Sequence, residues 1–333
     1  MSTYRTLKGY SVKSLTSDPA NPNEGQVWYN SAAKTIKVQP LLPGVWAGGG
    51  NLNTARSTLG GAKSSAETTG LVFGGHLGSG SPVLTNASES YNGSAWTEGN
   101  NLSTARENIG GAGTSESGLA FGGAIGTTKQ VLSEEYDGTS WTEGNNLGTA
   151  RRLNNGSAGT QTAALAFGGD SPAKDETESY NGTSWSELND MGTGRNDLTG
   201  NGTQTAALAY GGAGSPFAQL ITEEWDGTSW TGGGNLPRVN RRMGGAGTQT
   251  AALAFAGLIA SGTVTGLAQV YDGTSWAATG SMGTGRYYVG NTGGSQDAGV
   301  VCGGLTSGAA TAVTAATEEF TAAAAGTRTV DVS

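Results

Sequence analysis

The chain of 333 residues holds one histidine, His76, and one cysteine, Cys302, so few side chains can do acid–base or nucleophilic work. A catalytic thiol needs a base within hydrogen-bond reach. The only imidazole follows Gly74-Gly75 in a loop, where a lone histidine reads as a surface residue. Cys302 stands where Phe73, Phe121 and Phe167 stand in parallel phrases, and reads as a small core hydrophobe. The pairs Glu134-Glu135 and Glu223-Glu224 recur at one place in a repeated phrase, so they are structural before they are catalytic. No His/Asp/Glu set has metal-ligand spacing, and no Walker-type phosphate loop is present. The expectation is a protein that is not an enzyme and uses no metal or cofactor, whose chemistry is recognition.

The elements that would position such recognition are written as a repeat. GTQTAALAFGG at 159–169 returns as GTQTAALAYGG at 202–212 and as GTQTAALAFAG at 247–257. Trp46, Trp96, Trp141, Trp185, Trp230 and Trp276 are spaced by 50, 45, 44, 45 and 46 residues, and five of them end a phrase of the YDGTSW type. A period near 45 is that of a propeller blade. Each repeat reads as four strands: a small-residue strand a, the TAALAFGG strand b, a strand c ending at the tyrosine, and a strand d carrying the tryptophan. Asn-Gly and Asp-Gly between c and d predict a tight type I′ turn. Innermost strands crowd a propeller's axis, which explains the glycines of strand a. Strand b alternates large residues with alanine, so neighbouring sheets can interlock.

An arginine stands ten residues after five of the six tryptophans and a glutamate two before five of the six strand-c aromatics. The pairs are Arg56 with Glu89, Arg106 with Glu134, Arg151 with Glu178, Arg195 with Glu223 and Arg286 with Glu318. The fifth repeat has Asn240 and Gln269 in these slots, both charges missing together. The pattern predicts a structural ion pair inside each of five repeats and an amide pair in the other, because a buried charge cannot lose its partner cheaply.

Five complete repeats run 56–96, 106–141, 151–185, 195–230 and 240–276; a sixth starts at Arg286 and reaches Phe320 without a tryptophan strand. Either GVWAG around Trp46, the preferred candidate, or TRTVDVS from Thr327 can complete it and remove an open sheet edge. The expected fold is all-β, a six-bladed propeller over 46–333. Residues 1–45 form an N-terminal arm and a small β-hairpin that pairs Val27-Trp28-Tyr29 with Thr35-Ile36-Lys37-Val38.

The Gly-Gly doublet, tyrosine and tryptophan at this period resemble the kelch repeat and the related galactose-oxidase propeller over about residues 46–333. The copper chemistry of galactose oxidase does not carry over, since one histidine cannot build its site. NPNEGQVWYNSAAKTIKVQ resembles segments near the N-termini of phage tail and fibre proteins, which implies an anchoring role for residues 1–45, with Trp28 and Tyr29 as candidates.

The b–c loops vary, running 11 to 16 residues from the second glycine to the strand-c aromatic, while the d–a loops are near-identical. Variable loops on a rigid scaffold are where recognition sits. Candidate binding residues are Phe217 in such a loop, and Arg152, Arg242, Tyr287 and Tyr288 just after the arginine slot, the aromatics suited to stacking on sugar rings. The net charge of −8 and the lack of a Lys/Arg run argue against nucleic acid. No apolar run suits a membrane span or a signal peptide. With the two resemblances, these features imply a non-enzymatic virion structural protein assembled in the host cytoplasm, in multiple copies per particle. It would bind other virion proteins through residues 1–45 and a host-surface glycan or protein through the propeller. The alternatives are a capsid decoration protein, a polysaccharide-degrading propeller enzyme and an intracellular kelch-type adaptor.

Overall fold

The computed structural model describes residues 13–17, 27–38, 43–65, 69–78, 84–170, 172–214, 217–309, 312–323 and 328–330, and no helix occurs among them. The chain divides into two compact bodies, residues 1–43 with 322–333, and residues 44–321.

Within the larger body the described residues form six four-stranded antiparallel sheets, consistent with a β-propeller. Repeat 2 sets the pattern: strand a is Gly110–Gly113, b is Gly118–Phe121, c is Ser133–Tyr136 and d is Trp141–Gly144. The sixth sheet takes its first three strands from Gly290–Ser295, Ala298–Cys302 and Thr317–Thr321, and its fourth from Val45–Gly49, with Trp46 opposite Phe320. The Trp46 ring lies 5.2 Å edge-on from Phe255 of repeat 5, as Trp141 lies 5.0 Å from Phe73 of repeat 1. The rival segment goes elsewhere: Arg328–Val330 pairs with Thr35–Val38 in the smaller body, so the C-terminal strand is not part of the repeat sheets.

Successive sheets are joined by bonds that only this repeat could write. The second glycine of each doublet donates to the carbonyl of the next repeat's arginine slot: Gly75 to Arg106, Gly123 to Arg151, Gly169 to Arg195, Gly212 to Asn240, Gly257 to Arg286, and Gly304 back to Arg56. Both glycines of the doublet have left-handed φ, as at Gly74 (62°) and Gly75 (110°), which only glycine adopts at little cost. The glutamine of the repeated phrase bridges as well. Gln161 Nε2 donates to Gly118 O at 3.0 Å and Tyr136 O at 2.7 Å in the preceding repeat, and Gln204, Gln249 and Gln296 do the same one repeat further each time. Leu119 and Phe121 of repeat 2 pack on Ala164 and Ala166 of repeat 3, the large-against-small contact that the alternation of strand b predicts.

The c–d turn differs from expectation. In DGTS at 137–140 only Gly138 has positive φ (91°), while a type I′ turn needs it at two positions. The connection between the paired Tyr136 and Trp141 is instead a four-residue loop, 137–140, in which Asp137 N donates to Ser140 O at 3.2 Å and Asp137 Oδ1 accepts from the Thr139 and Ser140 amides at 2.8 and 2.7 Å.

The five arginines are fully buried and each makes the same fork. Arg106 Nη2 meets Glu134 Oε1 at 2.6 Å, and Nη1 donates to Gly122 O at 2.8 Å and Leu132 O at 2.9 Å. The other pairs are Arg56–Glu89 at 2.8 Å, Arg151–Glu178 and Arg195–Glu223 at 2.9 Å, and Arg286–Glu318 at 2.6 Å. Burial pulls these guanidinium pKa values down, to about 10 for Arg195, against the charge of the glutamate. The second glutamate oxygen holds the d–a loop: Glu134 Oε2 accepts from the Ser103 amide at 2.6 Å, and Glu178 Oε2 from Gly148 at 2.7 Å. In repeat 5 the residue at this amide position is Pro237, which has no N–H. Cation, carboxylate and amide donor are all replaced together. The expected amide pair does not form: Asn240 Nδ2 donates to Ala256 O at 2.8 Å, and Gln269 Oε1 is buried without a partner.

The smaller body is a four-stranded sheet in the order Lys13–Leu15, Val27–Asn30, Thr35–Val38, Arg328–Val330. Its hairpin sets Trp28 opposite Lys37 and Tyr29 opposite Ile36. Trp28 is fully buried and Tyr29 half-buried, so the Trp28 ring is not available as a surface anchor.

Removing one member of a buried pair leaves the other charge uncompensated. Arg106→Met should lower unfolding free energy by about 3–5 kcal/mol in chemical denaturation, and Arg106→Met with Glu134→Leu should recover part of it. A loss within ~0.5 kcal/mol, the range of a surface substitution, would show that the pair is energetically idle.

Candidate functional site

The residues just after each arginine slot differ between repeats while their flanks hardly change: Ser57-Thr58, Glu107-Asn108, Arg152, Asn196-Asp197, Arg241-Arg242 and Tyr287-Tyr288. In each repeat one residue of this bend is left-handed without being glycine. These are Thr58, Asn108, Asn154, Asp197, Arg242 and Tyr288, with φ between 49° and 59°. Asn and Asp accept this conformation readily; at Thr58, Arg242 and Tyr288 it costs about 1–2 kcal/mol each. The bend aims its backbone at the neighbouring repeat. Asn108 N donates to Thr58 O at 2.8 Å, Asn154 N to Asn108 O at 3.1 Å, Arg242 N to Asp197 O at 2.8 Å, Tyr288 N to Arg242 O at 3.2 Å, and Thr58 N to Tyr288 O at 2.9 Å. Between repeats 3 and 4 a side chain makes the link, Asn154 Nδ2 to Asp197 Oδ1 at 3.0 Å.

All six left-handed residues line one open cavity of about 510 Å³, a size usual for small-molecule sites. Glu107, Arg152, Asp170, Asn196, Ala213 and Arg241 complete its wall. Asp197 receives Arg242 Nε at 2.8 Å, and the Arg242 guanidinium lies 4.4 Å from the centre of the Tyr288 ring. Burial works against the Arg242 charge, but Asp197 and the two tyrosines outweigh it and leave its pKa above the usual value. Burial, with the Asp197 charge adding, raises the Tyr288 hydroxyl well above the usual phenol value. Asp170 pairs with Lys129, and Arg152 Nη2 donates to Gly126 O at 2.7 Å. Four buried atoms of this wall remain without a hydrogen-bond partner: Asn108 Oδ1, Asn154 Oδ1, Asp170 Oδ1 and Arg152 Nε.

Lys63, two residues past the Gly60–Gly61 strand of repeat 1, reaches to backbone carbonyls of repeats 3 and 4. Its Nζ donates to Asn155 O at 2.5 Å, Gly200 O at 3.1 Å and Ser157 O at 3.2 Å. Burial pushes its ammonium down to about 7, while the three carbonyl contacts favour the charged form.

Of the residues picked from sequence, Arg152, Arg242 and Tyr288 line the cavity together. The Arg242 guanidinium lies over the Tyr288 ring, and Tyr287 is buried with Leu258 and Leu305, its hydroxyl on Ser307 O at 3.1 Å. Phe217–Ala218 pairs with Ala213–Gly214, and the Phe217 side chain lies outside the described residues. His76 bridges Ser57 through its backbone, and its Nδ1 accepts from the Gly78 amide at 3.0 Å, so its imidazole is partly engaged. Cys302 packs with Val72 and Trp96, where burial pushes its thiol up to about 12. Sequence reasoning missed Lys63, whose signal is GGAK where repeats 2 and 5 read GGAG. It also missed Asn108, Asn154, Asp170 and Asp197, each in or beside a doublet or bend that varies inside a uniform repeat.

No protein-family model matches the sequence, and no curated protein matches it.

The lowered Lys63 pKa has a direction that stability can report. Between pH 7 and 9 the unfolded lysine holds its proton while the folded one releases it, so stability should rise with pH, by up to about 1 kcal/mol per pH unit. Thermal melts over this window should climb for the natural chain relative to Lys63→Met, both proteins sharing the loss that the Cys302 thiol brings above about pH 8 as it ionises in the unfolded chain. Parallel curves for the two proteins would show that the three carbonyls keep Lys63 charged.

Proposed function

We propose that the protein is a non-enzymatic recognition component of a phage virion. Residues 44–321 form a closed six-bladed, kelch-like propeller that displays the cavity at its channel mouth, and the smaller body holds the chain to other virion proteins. The recognition half rests on one observation: a cavity walled by every repeat, in the one bend that the repeats do not share, lined mostly by charged and amide side chains. Six blades are supported by links that run from repeat 6 to repeat 1, Gly304 N to Arg56 O and Trp96 Nε1 to Thr317 Oγ1 at 2.9 Å. Kelch kinship rests on the Gly-Gly, tyrosine and tryptophan order at this period.

The virion setting rests on the resemblance of NPNEGQVWYNSAAKTIKVQ to segments of phage tail and fibre proteins. A tail fibre or spike component is the leading position, and capsid decoration the second. Density-gradient-purified particles should contain the chain in multiple copies by mass spectrometry, and antibodies to residues 44–321 should label their surface in electron micrographs. Particles lacking the chain would overturn the virion reading. Shortening of host polysaccharide by the purified protein would overturn the non-enzymatic one.

A further inference from the structure

We propose that the mouth cavity is a binding site for the carboxylate of an acidic sugar, a reading that deepens the recognition role above and rests on it. The charges of the wall do not cancel. Arg152, Arg241 and Arg242 line the cavity together with Glu107, Asp170 and Asp197. Lys129 pairs with Asp170 and neutralises it. Three guanidiniums then stand against two carboxylates, Glu107 and Asp197, which leaves this mouth positive by one charge in a chain whose formal net charge is −8.

The anionic acceptors of the wall are largely spent within it, and the cationic donors are not. Asp197 Oδ2 takes Arg242 Nε at 2.8 Å, and its Oδ1 takes Asn154 Nδ2 at 3.0 Å. Asp170 Oδ2 takes Lys129, and its Oδ1 is buried beyond the reach of a ligand. The Arg241 guanidinium, by contrast, makes no hydrogen bond among the described residues, and its one ion-pair contact, Nη1 to Asp197 Oδ2, is 4.0 Å long. Arg242 engages only its Nε, and Arg152 only its Nη2, on Gly126 O. The remaining terminal nitrogens of all three keep accessible surface, and the Arg241 side chain is 32% exposed. A guanidinium meets a carboxylate with two parallel bonds, and a single excess positive charge suits a monoanion. Asn196, whose side-chain amide bonds to no other described residue, adds a donor and an acceptor for the hydroxyls of the ring. The cavity is open at about 510 Å³, which admits a free uronic acid or the terminal uronic acid of a longer chain.

The test uses the full chain and calorimetric titration with glucuronate and galacturonate, beside glucose, glucosamine and inorganic phosphate as controls. An array of immobilised glycans ending in the same uronic acids distinguishes a free sugar from a chain terminus. At least one uronate should bind, and the neutral sugar, the cationic sugar and phosphate should each bind about tenfold more weakly or not at all. Arg241→Gln removes a guanidinium that makes no hydrogen bond in the fold, and should weaken uronate binding about tenfold with an unchanged melting temperature. Glu107→Gln removes an opposing charge and keeps an oxygen to accept from the Thr58 hydroxyl, which lies 3.4 Å from Glu107 Oε2. It should tighten uronate binding about threefold. Absence of uronate binding in both formats, equal binding of glucose or phosphate, or unaltered affinity in both variants would each overturn the proposal. The virion reading would stand in all three cases, since it is judged on particles and not on sugars.

Discussion

A buried arginine fork is the constraint on which each repeat depends. A guanidinium taken out of water needs fixed partners, and here Nη2 takes a glutamate and Nη1 two carbonyls while Nε stays buried without one, as in Arg106 with Glu134, Gly122 and Leu132. That single requirement fixes the end of strand b, the start of strand c and the d–a loop relative to one another, because the glutamate's other oxygen holds the loop amide. The arginine's own carbonyl then receives the glycine of the preceding repeat. The fork therefore sets the geometry both within a sheet and between sheets. It also leaves the residues immediately after the arginine at a fixed point in space whatever their side chains are.

Repeat 5 shows that the fork is a unit rather than three separate contacts. Asn240, Gln269 and Pro237 replace the cation, the carboxylate and the amide donor. Any one of these changes alone would leave a charge or an acceptor unpaired in a dry interior. Together they convert a charged cluster to a neutral one, at the residual cost of one unpaired oxygen on Gln269.

Repetition makes most of the fold legible from sequence. Six aligned copies reveal strand order, the Gly-Gly exit and the arginine–glutamate pairing, since a slot filled the same way each time has the same surroundings each time. The turn type is not legible in the same way, because Asp-Gly suits a two-residue turn as well as the four-residue loop observed, and only register and backbone dihedrals distinguish them. The site is half legible. Arg152, Arg242 and Tyr288 stand out as large residues beside slots that are uniform along the chain. Asn108, Asn154 and Asp170 are ordinary turn residues in a sequence, and only the folded chain gathers them from different repeats onto one wall. Lys63 bonds to repeats 3 and 4, well removed from its own place in the chain's cycle of repeats, a relation invisible to any pattern of local spacing.

The sixth sheet is stitched from segments made at opposite times. Val45–Gly49 leaves the ribosome before any repeat exists, and its partner Thr317–Thr321 follows only after all the others. Five sheets can assemble as they emerge, each from local contacts, while this early strand waits as an exposed edge. The entropy of joining two distant segments grows only slowly with the chain between them, so the long wait costs little in stability. Its consequence is temporal: the sixth sheet stays one strand short until Thr317–Thr321 has been made and can take up the waiting N-terminal strand.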